Sequence, residues 1–346
     1  MSVRIAVIGA GIMGADHARI IADDVPGSVL QVVCDLSAER AREIAEMTGA
    51  VDVATDPNEV IHRADVDAVL IASPDDTHAP LTLRALDLGK PVLCEKPLAP
   101  GSDACWDVIN KEIQIGRQLV HLGFMRRFDP SYAAMKQAVD DGVLGVPIMM
   151  HNMHRNVSAP PSFTGAMAIT NSAPHEFDIA RFVLGTDYVA VSAFQPKAVD
   201  SARAGAPVLI ILETTDGQLV NIEINNNAVY GYDVRGELVG EKGAVSLNAA
   251  SPTRLDLDQQ SVTAYAADWR PRFAEAYRLQ DKAWIRSIET DKPSAIAANA
   301  WDGYCSSRVA EAGVRALLEG QKVMIDMAVK PSLYAVDSGA EREPHP

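Results

Sequence analysis

Residues 3–14 read Val-Arg-Ile-Ala-Val-Ile-Gly9-Ala-Gly11-Ile12-Met13-Gly14, and Asp35 follows the last glycine by 21 residues. The apolar run Val3–Ile8, broken by one arginine, leads straight into Gly9-x-Gly11-x-x-Gly14. A helical pattern follows, then a second apolar run, Leu30–Cys34, just ahead of the acid. Strand, tight turn, helix and strand in that order, ending on an acid, mark a dinucleotide-binding βαβ unit. Gly9 permits the turn, Gly11 lets a pyrophosphate approach the backbone beside Ile12 and Met13, and Gly14 lets the helix lie close to the strand. The helix N-terminus presents unpaired N–H groups and a partial positive charge to the phosphates. Asp35 is placed to accept hydrogen bonds from the adenosine ribose and to repel a 2′-phosphate. Leu36-Ser37-Ala38 bring no arginine to hold that phosphate, Arg40 being the nearest, so the spacing predicts NAD rather than NADP.

Working outward, strand and helix signals alternate through the first third of the chain. Helical patterns cover 38–47 and 102–115, Asp56-Pro57 opens a short helix, and an amphipathic helix ends near Leu88. Strands are predicted at 51–54, 66–72, 91–94 and 119–122, and Val66–Ala72 is apolar almost throughout, as a strand buried on both faces should be. These features predict an α/β domain of Rossmann type, a doubly wound parallel sheet, over residues 1–123. The pattern then changes. Segments with partial alternation lie at 146–153, 188–194, 208–214, 219–225, 237–239, 245–247 and 254–258, with hairpin punctuation at Thr215-Asp216-Gly217 and Glu241-Lys242-Gly243. Helical patterns cover 130–139, 173–184, 273–289 and 297–319. This predicts an α+β domain over 124–330 built on a large, mostly antiparallel sheet, followed by a flexible tail over 331–346.

Composition narrows the function classes. A chain of 346 residues can form two cores. A formal net charge of −15 repels nucleic acid and anionic membrane, so neither is an expected partner. Cys34, Cys94, Cys105 and Cys305 form no CxxC pair, which argues against a disulfide or zinc framework and fits a reducing cytoplasm. The N-terminus enters a strand at once, leaving no room for a signal peptide. No apolar run approaches the ~18 residues that span a bilayer.

Three further segments carry chemistry. Glu95-Lys96-Pro97 follows the strand ending at Cys94, and ligands of open α/β sheets bind beyond the carboxyl ends of strands. A lysine there can stabilise a developing alkoxide or move a proton; otherwise it is a surface lysine before a proline. In Asn171-Ser-Ala-Pro-His175-Glu-Phe-Asp178, three polar residues share one helix face, and Pro174 suits a first helical turn. The spacing predicts Asn171 just ahead of that helix. His175 is then near the helix's positive end and held neutral, able to accept a proton; the alternative is a structural histidine paired with Asp178. His154-Arg155-Asn156 ends the strand begun at Val146, a polar cluster suited to a hydroxyl-rich ligand or simply a solvated strand end. His151 and His154 fall on opposite faces of that strand, so no metal site is expected. His17, in the first turns of the dinucleotide helix, has no chemical role in this reading, nor have His62, His121 and His345.

With Gly9-Ala-Gly11-Ile-Met-Gly14, Ser73-Pro74…His78, Glu95-Lys96-Pro97 and His175-x-x-Asp178 in order, the chain resembles the glucose–fructose oxidoreductase/inositol dehydrogenase family over nearly its full length. Gly123-Phe-Met125-Arg126-Arg127-Phe-Asp129, His154-Arg155-Asn156 and Tyr230-Gly-Tyr232-Asp233 resemble bacterial inositol 2-dehydrogenases most. The resemblance implies NAD as cofactor, held by the glycine turn, Asp35, Ser73, Pro74, His78, Glu95 and Lys96. It implies Lys96 and His175 as the catalytic pair, and Met125, His154, Asn156, Asn171 and Tyr232 around a polyol or sugar whose secondary hydroxyl is oxidised to a ketone. It also implies a homo-tetramer. Asn171 stands where inositol dehydrogenases carry an aspartate, so the position keeps a hydrogen-bonding group and loses a charge. An NAD-dependent glycosidase or epimerase working by transient oxidation, and a catalytically impaired NAD- and sugar-binding homologue, are the alternatives.

Overall fold

The computed structural model describes residues 2–196, 207–247 and 254–335. The first sheet has six parallel strands in the order β3-β2-β1-β4-β5-β6. They are β1 Val3–Ile8, β2 Ser28–Cys34, β3 Asp52–Ala54, β4 Ala68–Ile71, β5 Val92–Cys94 and β6 Val120–Leu122. Between them run α1 Ile12–Asp23, α2 Ala38–Thr48, α3 Pro57–His62, α4 Asp75–Asp87 and α5 Ser102–Ile115. The starts are chemically marked. Ser37 caps α2 by accepting from Arg40 N at 3.3 Å, and Asp56 caps α3 by accepting from Asn58 N at 2.8 Å, ahead of Pro57.

After a 3-10 turn, Met125–Phe128, come α6 Pro130–Asp140, β7 Pro147–Arg155, the single turn α7 Gly165–Met167 and α8 Pro174–Leu184. Strands β8 Tyr188–Phe194, β9 Val208–Thr214, β10 Leu219–Asn225, β11 Asp233–Gly240 and β12 Ala244–Ser246 follow. The chain then forms a separate hairpin, β13 Arg254–Leu257 with β14 Gln260–Thr263, then α9 Trp269–Thr290, α10 Ala300–Glu319 and β15 Val323–Met324. The second sheet has seven strands ordered β12-β11-β7-β10-β9-β8-β15. It is antiparallel except at its centre, where β7 and β10 run parallel. One face, with Met150, Val208, Ile210, Val220 and Ile222, is fully buried; on the other, Leu209, Leu219, Phe194 and Met324 are exposed. No helix among the described residues is long and apolar enough to cross a membrane.

The core of the first sheet draws on the far end of the chain. Val32, Val69, Ile71 and Val92 share a cluster with Ala298, Trp301, Tyr304, Cys305 and Tyr334. The stretch expected to be a loose tail from 331 is instead docked as far as Ala335. A short turn buries Tyr334, whose hydroxyl donates to Glu112 Oε2 at 2.6 Å, while Gln118 Nε2 donates to Leu333 O at 2.6 Å. Backbone polar groups and a buried carboxylate at the end of α5 hold this segment, which no hydrophobic periodicity announced. The remaining residues of the expected tail, 336–346, lie outside the described residues.

Close approach of α1 to β1 rests on Gly14, where an added Cβ comes within 1.7 Å of Gly9 O; a Cβ on Gly11 meets nothing within 4 Å. Gly14→Ala is therefore expected to destabilise the protein by about 2 kcal/mol or more through overpacking, whereas Gly11→Ala changes stability by under about 0.5 kcal/mol. Urea unfolding of both variants checks this, and equal midpoints overturn it.

Candidate active site

Residues at the carboxyl edge of the parallel sheet build a cleft. Gly9 makes its turn at φ +96°. Gly11 opens α1 with no side-chain cap and no acid in the first turn, and Ile12 beside it is exposed. The first N–H groups of α1 thus face open space without a competing carboxylate, the cradle a pyrophosphate requires. Asp35 is pinned at the turn: Ala10 N donates to Oδ2 at 2.8 Å and Ser37 N to Oδ1 at 2.9 Å. Arg40 comes closer than its spacing suggests, since its Nε donates to Ala10 O at 2.7 Å, but Nη1 is held by Glu43 at 2.6 Å. Met13 Sδ accepts from Trp269 Nε1 at 3.2 Å, joining the cofactor helix to α9. These residues fit a dinucleotide.

Ser73 and Pro74 follow β4, with Ser73 Oγ 2.6 Å from Thr77 Oγ1. Both ring nitrogens of His78 meet backbone carbonyls, Nδ1 to Pro97 O at 2.6 Å and Nε2 to Ser73 O at 2.8 Å. His78 therefore braces the two loops that follow β4 and β5. Glu95 is buried and Lys96 half-buried, and Lys96 Nζ donates to Asn171 O at 3.2 Å.

Asn171 does not precede a helix start. Residues 168–172 form a π-helical turn continuous with α7 and α8, and Ala173, ahead of Pro174, keeps helical dihedrals. His175 consequently does not sit at a free helix N-terminus. Burial first, then the nearby charges of Lys96 and Arg126, press its pKa well below the usual imidazole range, which favours the neutral ring. Asp178 is not its partner either. Asp178 takes two bonds from Arg127, at 2.9 and 2.5 Å, and His175 Nδ1 is buried without a partner. The Asn171 side chain is exposed and accepts from Thr170 Oγ1 at 2.8 Å.

His154, at the end of β7, faces the same site. A row of edge-on and tilted rings runs from Phe124 to His175 (6.0 Å), to His154 (6.3 Å) and to Tyr232 (5.9 Å). Asn156 and Tyr232 line a hollow of about 270 Å³ together with Asp268 and Trp269. Met125 is buried in the apolar core. His151 turns to the other face, where its Nδ1 is 2.7 Å from Asn221 Nδ2.

Four residues outside the sequence expectations organise the cluster. Arg126 and Glu176 form a fully buried ion pair, and Glu176 Oε1 lies 3.3 Å from His154 Nδ1. His17 is fully buried between Glu95 and Asp281. Arg126 was visible only as part of a resembling segment, and a histidine in the dinucleotide helix is uninformative until its distant partners are known.

Comparison with known proteins identifies the family. Residues 3–124 match the oxidoreductase family with an NAD-binding Rossmann fold, and residues 132–246 match the GFO/IDH/MocA C-terminal domain. Inositol 2-dehydrogenase 1 of Saccharopolyspora erythraea is 44% identical over 337 residues, covering 96% of this chain and 99% of that protein. Inositol 2-dehydrogenase 2 of Paenarthrobacter aurescens is 43% identical over 323 residues, covering 92% and 96%. The crystal structure of myo-inositol dehydrogenase from Lactobacillus casei in complex with NAD(H) and myo-inositol matches with a TM-score of 0.91 at 29% identity, covering 97% of this chain and 100% of that one. A glycine turn built for a dinucleotide, both family domains in order and full-length relatives lead to one assignment: the chain belongs to the glucose–fructose oxidoreductase/inositol dehydrogenase (GFO/IDH/MocA) family of NAD-dependent oxidoreductases.

Proposed function

We propose that the protein oxidises one secondary hydroxyl of an inositol or a closely related sugar to a ketone. The carrying observation is the convergence of Lys96, just past the carboxyl end of β5, with His175, whose pKa burial and the Lys96 charge press down. Gly9, Gly11, Ile12, Met13 and Gly14 cradle the pyrophosphate of NAD, Asp35 takes the adenosine ribose, and Ser73, Pro74, Glu95 and Lys96 lie along the nicotinamide end, with His78 bracing it. When bound, NAD supplies the hydride acceptor. His175, neutral at physiological pH, takes the hydroxyl proton. The Lys96 ammonium stabilises the negative charge that grows on the substrate oxygen, and its bond to Asn171 O aims it. Asn171, His154, Asn156, Tyr232 and Met125 supply the polyol pocket, and the row of rings from His175 through His154 to Tyr232 supports that grouping.

The same reading divides the chain at residue 123 into a cofactor domain and a substrate and assembly domain. Exposed Leu209, Leu219, Phe194 and Met324 on the large sheet support subunit contact, and we assign a homo-tetramer. Four buried, unpaired cysteines suit the reducing cytoplasm.

Release of NADH in proportion to polyol consumed tests the reading. A glycosidase or epimerase that reoxidises its cofactor within each turnover shows none. The kcat/KM for NAD should exceed that for NADP by at least about tenfold, equivalent to ~1.4 kcal/mol, and Asp35→Ala should narrow the gap; equal values in the native enzyme remove that role from Asp35. Lys96→Ala should lower kcat by about two orders of magnitude while NADH binding, followed by its fluorescence, persists. Asn171→Asp places a carboxylate near His175 and stabilises the imidazolium. That raises the histidine's pKa, so the acidic limb of the kcat/KM profile moves to higher pH. An unmoved limb, with His175→Ala still active, removes both residues from the chemistry.

A further inference from the structure

Two carboxylates meet one imidazole directly behind the Lys96 loop. His17 lies on the inner side of α1 with no exposed surface. Its Nδ1 is 2.8 Å from Asp281 Oδ2 on α9, and its Nε2 is 3.0 Å from Glu95 Oε1. A neutral imidazole has one N–H and can donate to only one of them. With a carboxyl oxygen at each ring nitrogen, a doubly protonated ring donates to both, although burial also pushes the Asp281 carboxyl up. Burial alone presses its pKa down, but Asp281 and Glu95 outweigh that and raise it to about 10. Tyr277 packs edge-on against the ring at 5.6 Å and closes the space around it.

The chain of charge-assisted bonds continues. The other oxygen of Glu95, Oε2, accepts from the backbone N–H of Lys96 at 3.2 Å. Asp281, His17, Glu95 and the Lys96 backbone thus link a helix of the substrate domain, the cofactor helix and the loop that carries the lysine. On the far side of Lys96, His78 anchors Pro97 O. The residue is therefore held from both sides by histidines whose ring nitrogens both face oxygen, and only the His17 side reaches into the other domain.

We infer that His17, held by Asp281, is a positioning residue for Lys96. Through Glu95 it fixes the backbone from which the ammonium extends, so that the cofactor helix and the substrate domain jointly determine where that charge meets the substrate oxygen. Neither His17 nor Asp281 touches the reacting atoms. The inference deepens the proposed function and rests on its assignment of Lys96.

A double-mutant cycle tests it, using wild type, His17→Gln, Lys96→Ala and the double variant, with kcat on myo-inositol and NADH affinity by fluorescence. Glutamine keeps one hydrogen bond and removes the charge. His17→Gln is expected to lower kcat about tenfold or more while NADH affinity stays within about twofold, and to cost less than about twofold in the Lys96→Ala background. An equal loss in both backgrounds means that His17 acts independently of the lysine and overturns the inference, as does an unchanged kcat in His17→Gln. If Lys96→Ala alone keeps wild-type kcat, the assignment of Lys96 falls, and the inference with it. Should His17→Gln not fold, Asp281→Asn replaces it in the same cycle, with the same non-additivity expected and the same additivity or unchanged kcat overturning the inference.

Discussion

The chemistry of this site depends on the buried pair of Arg126 and Glu176. Both side chains are essentially inaccessible, Arg126 on the 3-10 turn where the chain leaves the first sheet and Glu176 on α8. Losing one partner leaves an uncompensated charge in a dry interior, at a cost of about 3–5 kcal/mol. The pair therefore fixes α8 against the domain crossover, and α8 carries His175. Next to it, Arg127 binds Asp178 and Asp302, and Arg181 binds Asp302 and Asp187. Each cation in this region has an acid to neutralise it, except that Lys96 meets a carbonyl. Its field and that of Arg126 fall on His175, which has no carboxylate of its own, and both add to burial in pressing the imidazole's pKa down.

Local features of this design were legible in the sequence; distant ones were not. The glycine turn, its strand and helix, and the acid at 35 lie within a short stretch and obey local geometry, so periodicity and spacing were enough. The parallel strands announced themselves by continuous apolar runs. The second sheet was legible as alternation, but the parallel pairing of β7 with β10 was not, because no residue type encodes a partner strand's direction. The same limit applies to polar networks. His17 and Asp281 are separated by 264 positions, and nothing near either predicts the other. The reading of His175 drew on a helix end alone; the structure adds burial and the charges of Lys96 and Arg126, which press its pKa down and come from residues distant in sequence.

Asn171 shows how backbone and side chain divide one position. Within the π-helical turn its carbonyl accepts from Lys96 Nζ, while its side-chain amide stays exposed beside Thr170. Such turns often occur at functional sites because the extra residue redirects groups that an α-helix would consume internally. Side-chain chemistry at 171 is therefore separable from the backbone contact to Lys96.

The docking of Tyr334 onto Glu112 bears on how the protein is made. The first sheet begins at residue 3, yet the cluster beneath it includes Trp301, Tyr304 and Tyr334. A chain emerging from the ribosome therefore holds an incomplete amino-terminal domain, its apolar underside uncovered, until nearly every described residue has been translated. Vectorial synthesis normally favours early completion of the first domain. Here the last helix and the segment after it act as a late-arriving lid, so premature termination before residue 300 leaves the first sheet's apolar cluster open to aggregation and proteolysis.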